Sequence, residues 1–569
     1  MSQNGTAVAF PNLVLRPACC WLALACAAAL PAQAPRLVDS LAAPLAYLSL
    51  DAGASATRGQ PGAVQRLLAE PALGVLLGPT PAAAGVAGAE APPAPNGGMQ
   101  ALALVRGLMT RSVGELEIAL TGVVPDRGQP LLVLRVRLQQ RESQRLQQVL
   151  ATGELAAPGR QFGAQQAYRL RSGEARDDLG HEVELALVGD DLLVGNDSLA
   201  FATLLQPASA PARTGPVAAT GLAADPRYQS LRTQANAGPG ALHVYVDWPR
   251  LGRNLRSSLD GMPGALLRTS GLDAARSVLL TIDAPNGALA ATLLLDVPRD
   301  HQGADPEPLA TTLDGWFASV RPLAGKTLAG ELPGGGLGGL VLSVDLAQMF
   351  TRTHGGEHLL HDLEHAYDDY GLDFQRNVVS RLGEHGTVQL HVVRSPDAAA
   401  EVHSVYALRT RSRTAAIDLF ADLRRVAETT GLGKLVAGRE RRSFDLLELQ
   451  GRGPERVSAF VAVGDDEILV ASDAESVAAA VDERRSAGRS RVRRDQLVTQ
   501  VVQALGSDRV AGMFDVDLAP LFAQLAASFV GADGKPLDLS RLPKRHVGCV
   551  DVHRDDTNSI VRIRVLSSR

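Results

Sequence analysis

Short runs in which apolar and polar residues alternate recur along the chain and predict half-buried strands; Val133-Leu134-Arg135-Val136-Arg137 and Val405-Tyr406-Ala407-Leu408-Arg409 are two of them. Each runs into a stretch with apolar residues three and four apart, predicting amphipathic helices over Arg141 to Leu150 and Thr414 to Glu428. Two more strands follow, joined at Gly189-Asp190-Asp191 and Gly464-Asp465-Asp466. These steps read as turns, because Gly tolerates positive φ and Asp can bond its own backbone. The last strand of each set passes into a helix at Asn196-Asp197 or Ser472-Asp473, and Ser472-x-x-Glu475 spells a capping box.

The same order therefore appears twice. The spacing from Val188 to Val463 is nearly that from Gly114 to Gly386, from Val133 to Val405 and from Val246 to Val516. Matches in one order at one spacing indicate a tandem duplication, and the period is far too long for a solenoid. Each copy opens on a strand ending in an acid (Leu48 to Asp51; Leu342 to Asp345) and closes on a strand-helix-hairpin module. Short connections between strands favour antiparallel pairing, so the expected fold is α+β: a duplicated unit with an antiparallel sheet and packed helices. The expected boundaries are a signal peptide over 1–34, a first-copy core over 35–207, a linker over 208–240 and a first-copy module over 241–300. A linker with a short helix, Leu309 to Val320, spans 301–338; the second-copy core covers 339–490 and its module 491–569.

The N-terminus changes the picture of where the chain goes. Cys19 to Leu30 is an apolar run of signal-peptide length, and Ala32-Gln33-Ala34 supplies a small-x-small cleavage pattern. A lipid anchor on Cys26 is the alternative. The expected localisation is periplasmic or secreted, with no transmembrane segment after the signal. Of the 4 cysteines only Cys549 lies beyond the signal, so a disulfide within the cleaved chain is excluded. Cys549 reads as a small buried residue of a strand.

Over 569 residues the chain is 46% hydrophobic and 21% charged, which excludes disorder throughout. A net charge of -5 gives no basic excess for nucleic acid. With 4% aromatics the core is expected to be Leu, Val and Ala.

Several motifs have the wrong context. Gly334-x-Gly336-x-x-Gly339 spells a dinucleotide fingerprint but leads into a strand rather than a helix. Ala324-Gly325-Lys326-Thr327 lacks the first glycine of a phosphate loop. The arginine clusters at 439–442 and 491–494 read as solvated faces. Asp247, Asp345 and Asp517 stand at strand ends before helical patterns and read as helix caps rather than catalysts.

The strongest candidate chemistry is histidine-rich. His354, His358, His361 and His365 fall close together, and His361-Asp362-Leu363-Glu364-His365 spells H-x-x-E-H. That resembles the inverted zinc motif of pitrilysin-type peptidases. The resemblance implies His361 and His365 as metal ligands and Glu364 as the base. With His358 at 0° and about 100° per residue, His361 and His365 fall near 300° and 340°, opposite the Leu359, Leu360, Leu363 and Tyr367 stripe. A solvated polar stripe is thus the plainer reading; His358, His361, Glu364 and His365 are candidate ligands of a surface metal.

The strand-Asp-helix openings, Gly371-Leu372-Asp373 and the G-D-D strand-turn-helix together resemble large exported bacterial proteins of planctomycete type that contain a domain of unknown function. The resemblance implies no activity and no catalytic residues. The sequence calls for no cofactor. It points to an exported non-enzymatic protein, a scaffold or binding module of the cell envelope with an envelope protein as partner. The alternatives are a zinc-dependent hydrolase using the motif at 361–365 and a carrier of an apolar ligand.

Overall fold

The computed structural model describes residues 36–41, 44–50, 64, 66, 115–124, 129–153, 156–162, 165–170, 183–205, 221–238, 240–255, 275–284, 289–298, 319–332, 337–345, 364, 368, 371–393, 401–431, 433–436, 445–450, 458–486, 499–501, 503, 509–528, 538–540, 542–554 and 558–568. The chain divides into two compact units, 1–294 with 531–542 and 295–530 with 543–569. The fold is α+β.

In the first unit the strands are β1 (Ala46–Leu50), β2 (Leu116–Val124), β3 (Gln129–Arg137), β4 (Ala156–Phe162), β5 (Gln165–Leu170), β6 (Glu184–Val188), β7 (Asp191–Gly195), β8 (Leu242–Asp247) and β9 (Ser277–Asp283), and β10 (Leu289–Pro298) begins in it and runs past the boundary at Leu294. Antiparallel pairing gives the order β9-β8-β1-β2-β3-β7-β6-β5-β4. The helices are α1 (Leu37–Ser40), α2 (Gln140–Thr152), α3 (Ser198–Leu205), α4 (Pro226–Ala235) and α5 (Trp248–Leu255).

In the second unit α6 (Gly325–Glu331) precedes β11 (Gly338–Ser343), followed by α7 (Phe374–Asn377), β12 (Leu382–Val393), β13 (Glu401–Thr410), α8 (Arg413–Thr430), β14 (Gly433–Val436), β15 (Leu446–Gln450), β16 (Ser458–Val463) and β17 (Glu467–Ala471). Then come α9 (Ala474–Ser486), β18 (Gly512–Asp517), α10 (Ala519–Ser528), β19 (Arg545–Arg554) and β20 (Asn558–Ser568). Their order is β20-β19-β18-β11-β12-β13-β17-β16-β15-β14. From β19 to β14 this repeats the order of the first unit strand for strand, with α8 where α2 stands. Both helices stop at a left-handed glycine, Gly153 (φ 70) and Gly431 (φ 66).

Side-chain alternation assigns the two faces of each sheet. In the second unit Leu447, Val461 and Ile468 pack under Leu419 and Phe420 of α8. The intervening residues Val405, Ala407 and Leu469 pack under Val477 and Val481 of α9. In the first unit Leu134, Val136, Leu192 and Val194 meet Leu146 and Leu150 of α2.

Three sequence readings change. The expected linker over 208–240 contains α4, with Tyr228 and Leu231 almost fully buried. Pro226 read as linker composition, but it occupies the first helical turn, where no N–H is needed, and Asp225 caps that turn through Arg227 N at 2.8 Å. The expected linker over 301–338 contains α6, whose Leu328 is fully buried; the helix expected at 309–320 lies mostly outside the described residues. The third change is register. Leu116 lies opposite Leu50 and Gly386 opposite Leu342, so Gly386 corresponds to Leu116 rather than to Gly114. The stretch from Gly386 to Val405 is longer by two residues than that from Leu116 to Val133, and this moves the match by two.

Candidate functional site

The acids at strand ends resolve into shape. Asp197 Oδ1 accepts from Leu199 N (3.0 Å) and Ala200 N (3.1 Å) at the start of α3. Asp473 Oδ1 accepts from Ser476 N at 2.7 Å at the start of α9, so Asp473 and not Ser472 is the cap. Asp247 accepts from Arg250 N and Asp517 from Ala519 N. Asp345 pairs with Arg321 at 2.8 Å, and the residues it was expected to cap lie outside the described residues. The G-D-D step also divides. Asp190 holds Ser143 of α2, whereas Asp191 is the first residue of β7 and turns into the core.

Asp191 belongs to the most unusual assembly among the described residues, a polar row across the first unit. Directly opposite one another on successive strands stand Thr281 (β9), His243 (β8), Ser49 (β1), Glu117 (β2) and Arg135 (β3). All five are buried, Glu117 at 0% and Arg135 at 1% exposure. Glu117 Oε1 accepts from Tyr47 O–H (2.6 Å) and Arg36 Nε (3.3 Å). Its Oε2 accepts from Leu37 N (2.9 Å) and Arg135 Nη1 (3.1 Å). Arg135 Nη1 also reaches Glu115 at 2.7 Å, and Nη2 lies 3.2 Å from Asp191. Arg137 takes the same Asp191 carboxylate with both Nε and Nη2 at 3.2 Å. Arg36, Glu115 and Arg137 form the partly exposed rim.

Electrostatics follow the packing. Burial opposes the charge on Arg135, but Asp191, Glu115 and Glu117 outweigh it and hold the guanidinium above its ordinary value. Burial pushes the Glu115 carboxyl up, and the hydrogen bond and charge of Arg135, with Arg36 and Arg137, bring it below the carboxylate range. Burial and the neighbouring Glu117 carboxylate raise the Tyr47 phenol well above its usual value. Tyr228 of α4 packs edge-on against Tyr47 and Tyr245, with ring centroids 6.3 and 5.2 Å apart.

The second unit replaces this row. By strand register, Thr281, His243, Ser49, Glu117 and Arg135 correspond to Cys549, Met513, Val341, Thr387 and Ala407. Cys549, Met513 and Val341 are fully buried beneath Leu328 of α6. Burial first, then Asp551, pushes the Cys549 thiol up to about 12, against the pull of Arg562 and Arg564. An aromatic disulfide reagent at about pH 8 is expected to leave Cys549 unlabelled in the native protein and to label it completely in urea. Rapid labelling without denaturant would contradict that packing.

The same chain thus builds this sheet twice, once with a buried ionic row and once with an uncharged one. Buried charges generally cost more desolvation than an apolar packing of the same volume. The row is therefore the candidate functional feature of the first unit. Sequence reasoning missed it, because Glu117, Arg135 and Asp191 are far apart in the chain and only register joins them. The available signal was arginine at alternate positions of an otherwise apolar strand, Arg135 and Arg137, beside the alternating Glu115 and Glu117.

The histidine motif does not enter this assembly. His358, His361 and His365 lie outside the described residues; Glu364 is helical and half-buried. Among the described residues no group of three or more His, Cys, Asp or Glu is placed to hold a metal. Gly339 lies in β11, with 333–336 outside the described residues, and Gly325-Lys326-Thr327 opens α6. The arginine clusters also lie outside the described residues. Among the described residues no helix is long and apolar enough to cross a membrane.

No family model and no curated protein matches the chain. Among solved structures it is similar to crystal form IV of TP0453, with a TM-score of 0.25 and 11% identity over 49% of this chain and 83% of that one. Crystal form III of TP0453 gives a TM-score of 0.24 and 10% identity over 51% of this chain and 89% of that one.

Proposed function

We propose that the protein is an exported, non-enzymatic scaffold or binding module of the cell envelope. The observation that supports this reading is the use made of its recurring acids. Asp197 and Asp473, and Asp247 and Asp517, occupy equivalent places in the two units and accept from the first free N–H groups of the helices that follow. Groups that recur in pairs and hold helix ends serve architecture, and the duplicated sheet is then a platform on which the first unit has diverged. Export rests on the apolar run over Cys19 to Leu30 and the Ala32-Gln33-Ala34 pattern.

Two measurements test the two parts of this reading. The full chain, expressed in a Gram-negative host, is expected in the periplasm or medium with its N-terminus trimmed, and a chain lacking 1–34 is expected in the cytoplasm. Retention of the full chain in the cytoplasm would remove the export claim. The purified protein is expected to turn over no peptide, ester or glycoside; turnover abolished by one point substitution would remove the non-enzymatic claim.

A further inference from the structure

The caps of α3 and α9 are equivalent but not identical. In the first unit Asp197 Oδ1 accepts from the helix, and its Oδ2 accepts from the Thr121 hydroxyl at 2.6 Å. In the second unit Asp473 Oδ1 accepts from Ser476 N, and its Oδ2 lies 2.6 Å from His403 Nδ1 on β13. A hydroxyl that does not titrate near neutrality has been exchanged for an imidazole that does. The pair is accessible to protons, with side chains 20% and 26% exposed.

We propose that His403 makes the N-terminal cap of α9 sensitive to pH: the protonated imidazole ties Asp473, and with it the first turn of α9, to β13, and loss of that proton loosens the helix start. The imidazolium donates a charge-assisted bond to the carboxylate, roughly twice as strong as a neutral one. Asp473 of α9 is the carboxylate bonded to His403; Glu475 stands in the first turn of the same helix, and by strand position Glu401 is two residues along β13 and His391 of β12 is paired with His403. Burial pushes Asp473 up, but its bonds to Ser476 and His403 bring it below the carboxylate range, so it is ionised wherever His403 titrates. The sign follows. The stabilising pair is complete at mildly acidic pH, below the free histidine value of ~6.5, and is lost as pH rises above it. At still lower pH protonation of Asp473 removes the cap itself.

Hydrogen exchange on the full chain, corrected for the intrinsic pH dependence of exchange, tests this. The first turn of α9 is expected to open roughly two- to fivefold more at about pH 8 than at about pH 5.5, the range for one partly exposed ion pair. The first turn of α3 is expected to change little, and His403→Gln, which keeps a neutral donor, is expected to abolish the difference in α9. Equal protection of α9 at both pH values would overturn the proposal. So would an unchanged difference in His403→Gln, or the same difference appearing in α3. Histidine resonances of the unmodified chain provide a second readout: His403 is expected to titrate in the same pH interval as the loss of α9 protection, and titration outside it overturns the proposal.

Discussion

Arg135→Met is expected to destabilise the first unit by about 3–5 kcal/mol, the usual cost of removing one partner from a buried charge pair. The side chain is 2% exposed and faces Glu117 and Asp191, each at 1%. Its loss leaves Glu117 with Tyr47, the Leu37 N–H and the rim residue Arg36, too little positive charge for a carboxylate without water. Asp191 fares better, because Arg137 holds it with two bonds. Adding Glu117→Gln to Arg135→Met is therefore expected to recover about 1–3 kcal/mol. The amide removes the stranded charge; with its oxygen toward Leu37 N it keeps that bond, and its NH2 donates to the Tyr47 hydroxyl oxygen. Urea unfolding of both single variants and the double variant measures the coupling. A cost below ~1 kcal/mol for Arg135→Met, with no recovery in the double variant, would show that the row is hydrated rather than buried.

The second large effect is in the other unit. Gly338→Ala is expected to cost about 2–5 kcal/mol, through backbone strain and overlap together. Gly338 has φ 143, where side chains are rarely tolerated. A Cβ built there would overlap the Asp515 carbonyl oxygen on the paired strand β18 and stand 2.7 Å from Val516 Cα. Neither obstacle is a flexible side chain. The equivalent residue of the first unit is Ala46, which does not need a positive φ, so the requirement arises from how β11 enters the second sheet. Gly330 provides the control. A Cβ there meets nothing within 4 Å, and Gly330→Ala inside α6 is expected to be neutral or stabilising by up to about 1 kcal/mol. Similar losses at both positions would show that the effect is not one of space and φ.

What was legible in the sequence was local. The alternation in β3 and β13, the apolar stripe of α2 and α8 and the repetition of both in one order give the strands, the helices and the α+β architecture. Short-range chemistry was nearly legible: Asp247 and Asp517 cap helices as expected, while the box at Ser472 gave way to Asp473 because the helix starts one residue later. Composition misled where it stood in for structure. Proline and alanine around Pro226 look like a tether, yet the pattern Tyr228-x-x-Leu231-x-x-x-Ala235 buries one side of α4. Of the ionic row only the alternation of Arg135 with Arg137 and of Glu115 with Glu117 was legible, not their burial or pairing. Whether Arg135 faces water or the core depends on which strands flank β3 and which helices cover it, and those partners come from residues 36 to 191.

The first strand of each copy is paired on one side by the strand that follows it and on the other by a strand from the closing module, β1 by β2 and β8, β11 by β12 and β18. An emerging chain therefore cannot finish its opening strand until nearly the whole copy has been made. Until Asp247 or Asp517 arrives, one edge of β1 or β11 stands bare, a template for the wrong neighbour. Such long-range closure folds slowly. It also means that a fragment ending before β8 or β18 is missing its keystone, and halving the molecule for study requires cuts outside both closing hairpins.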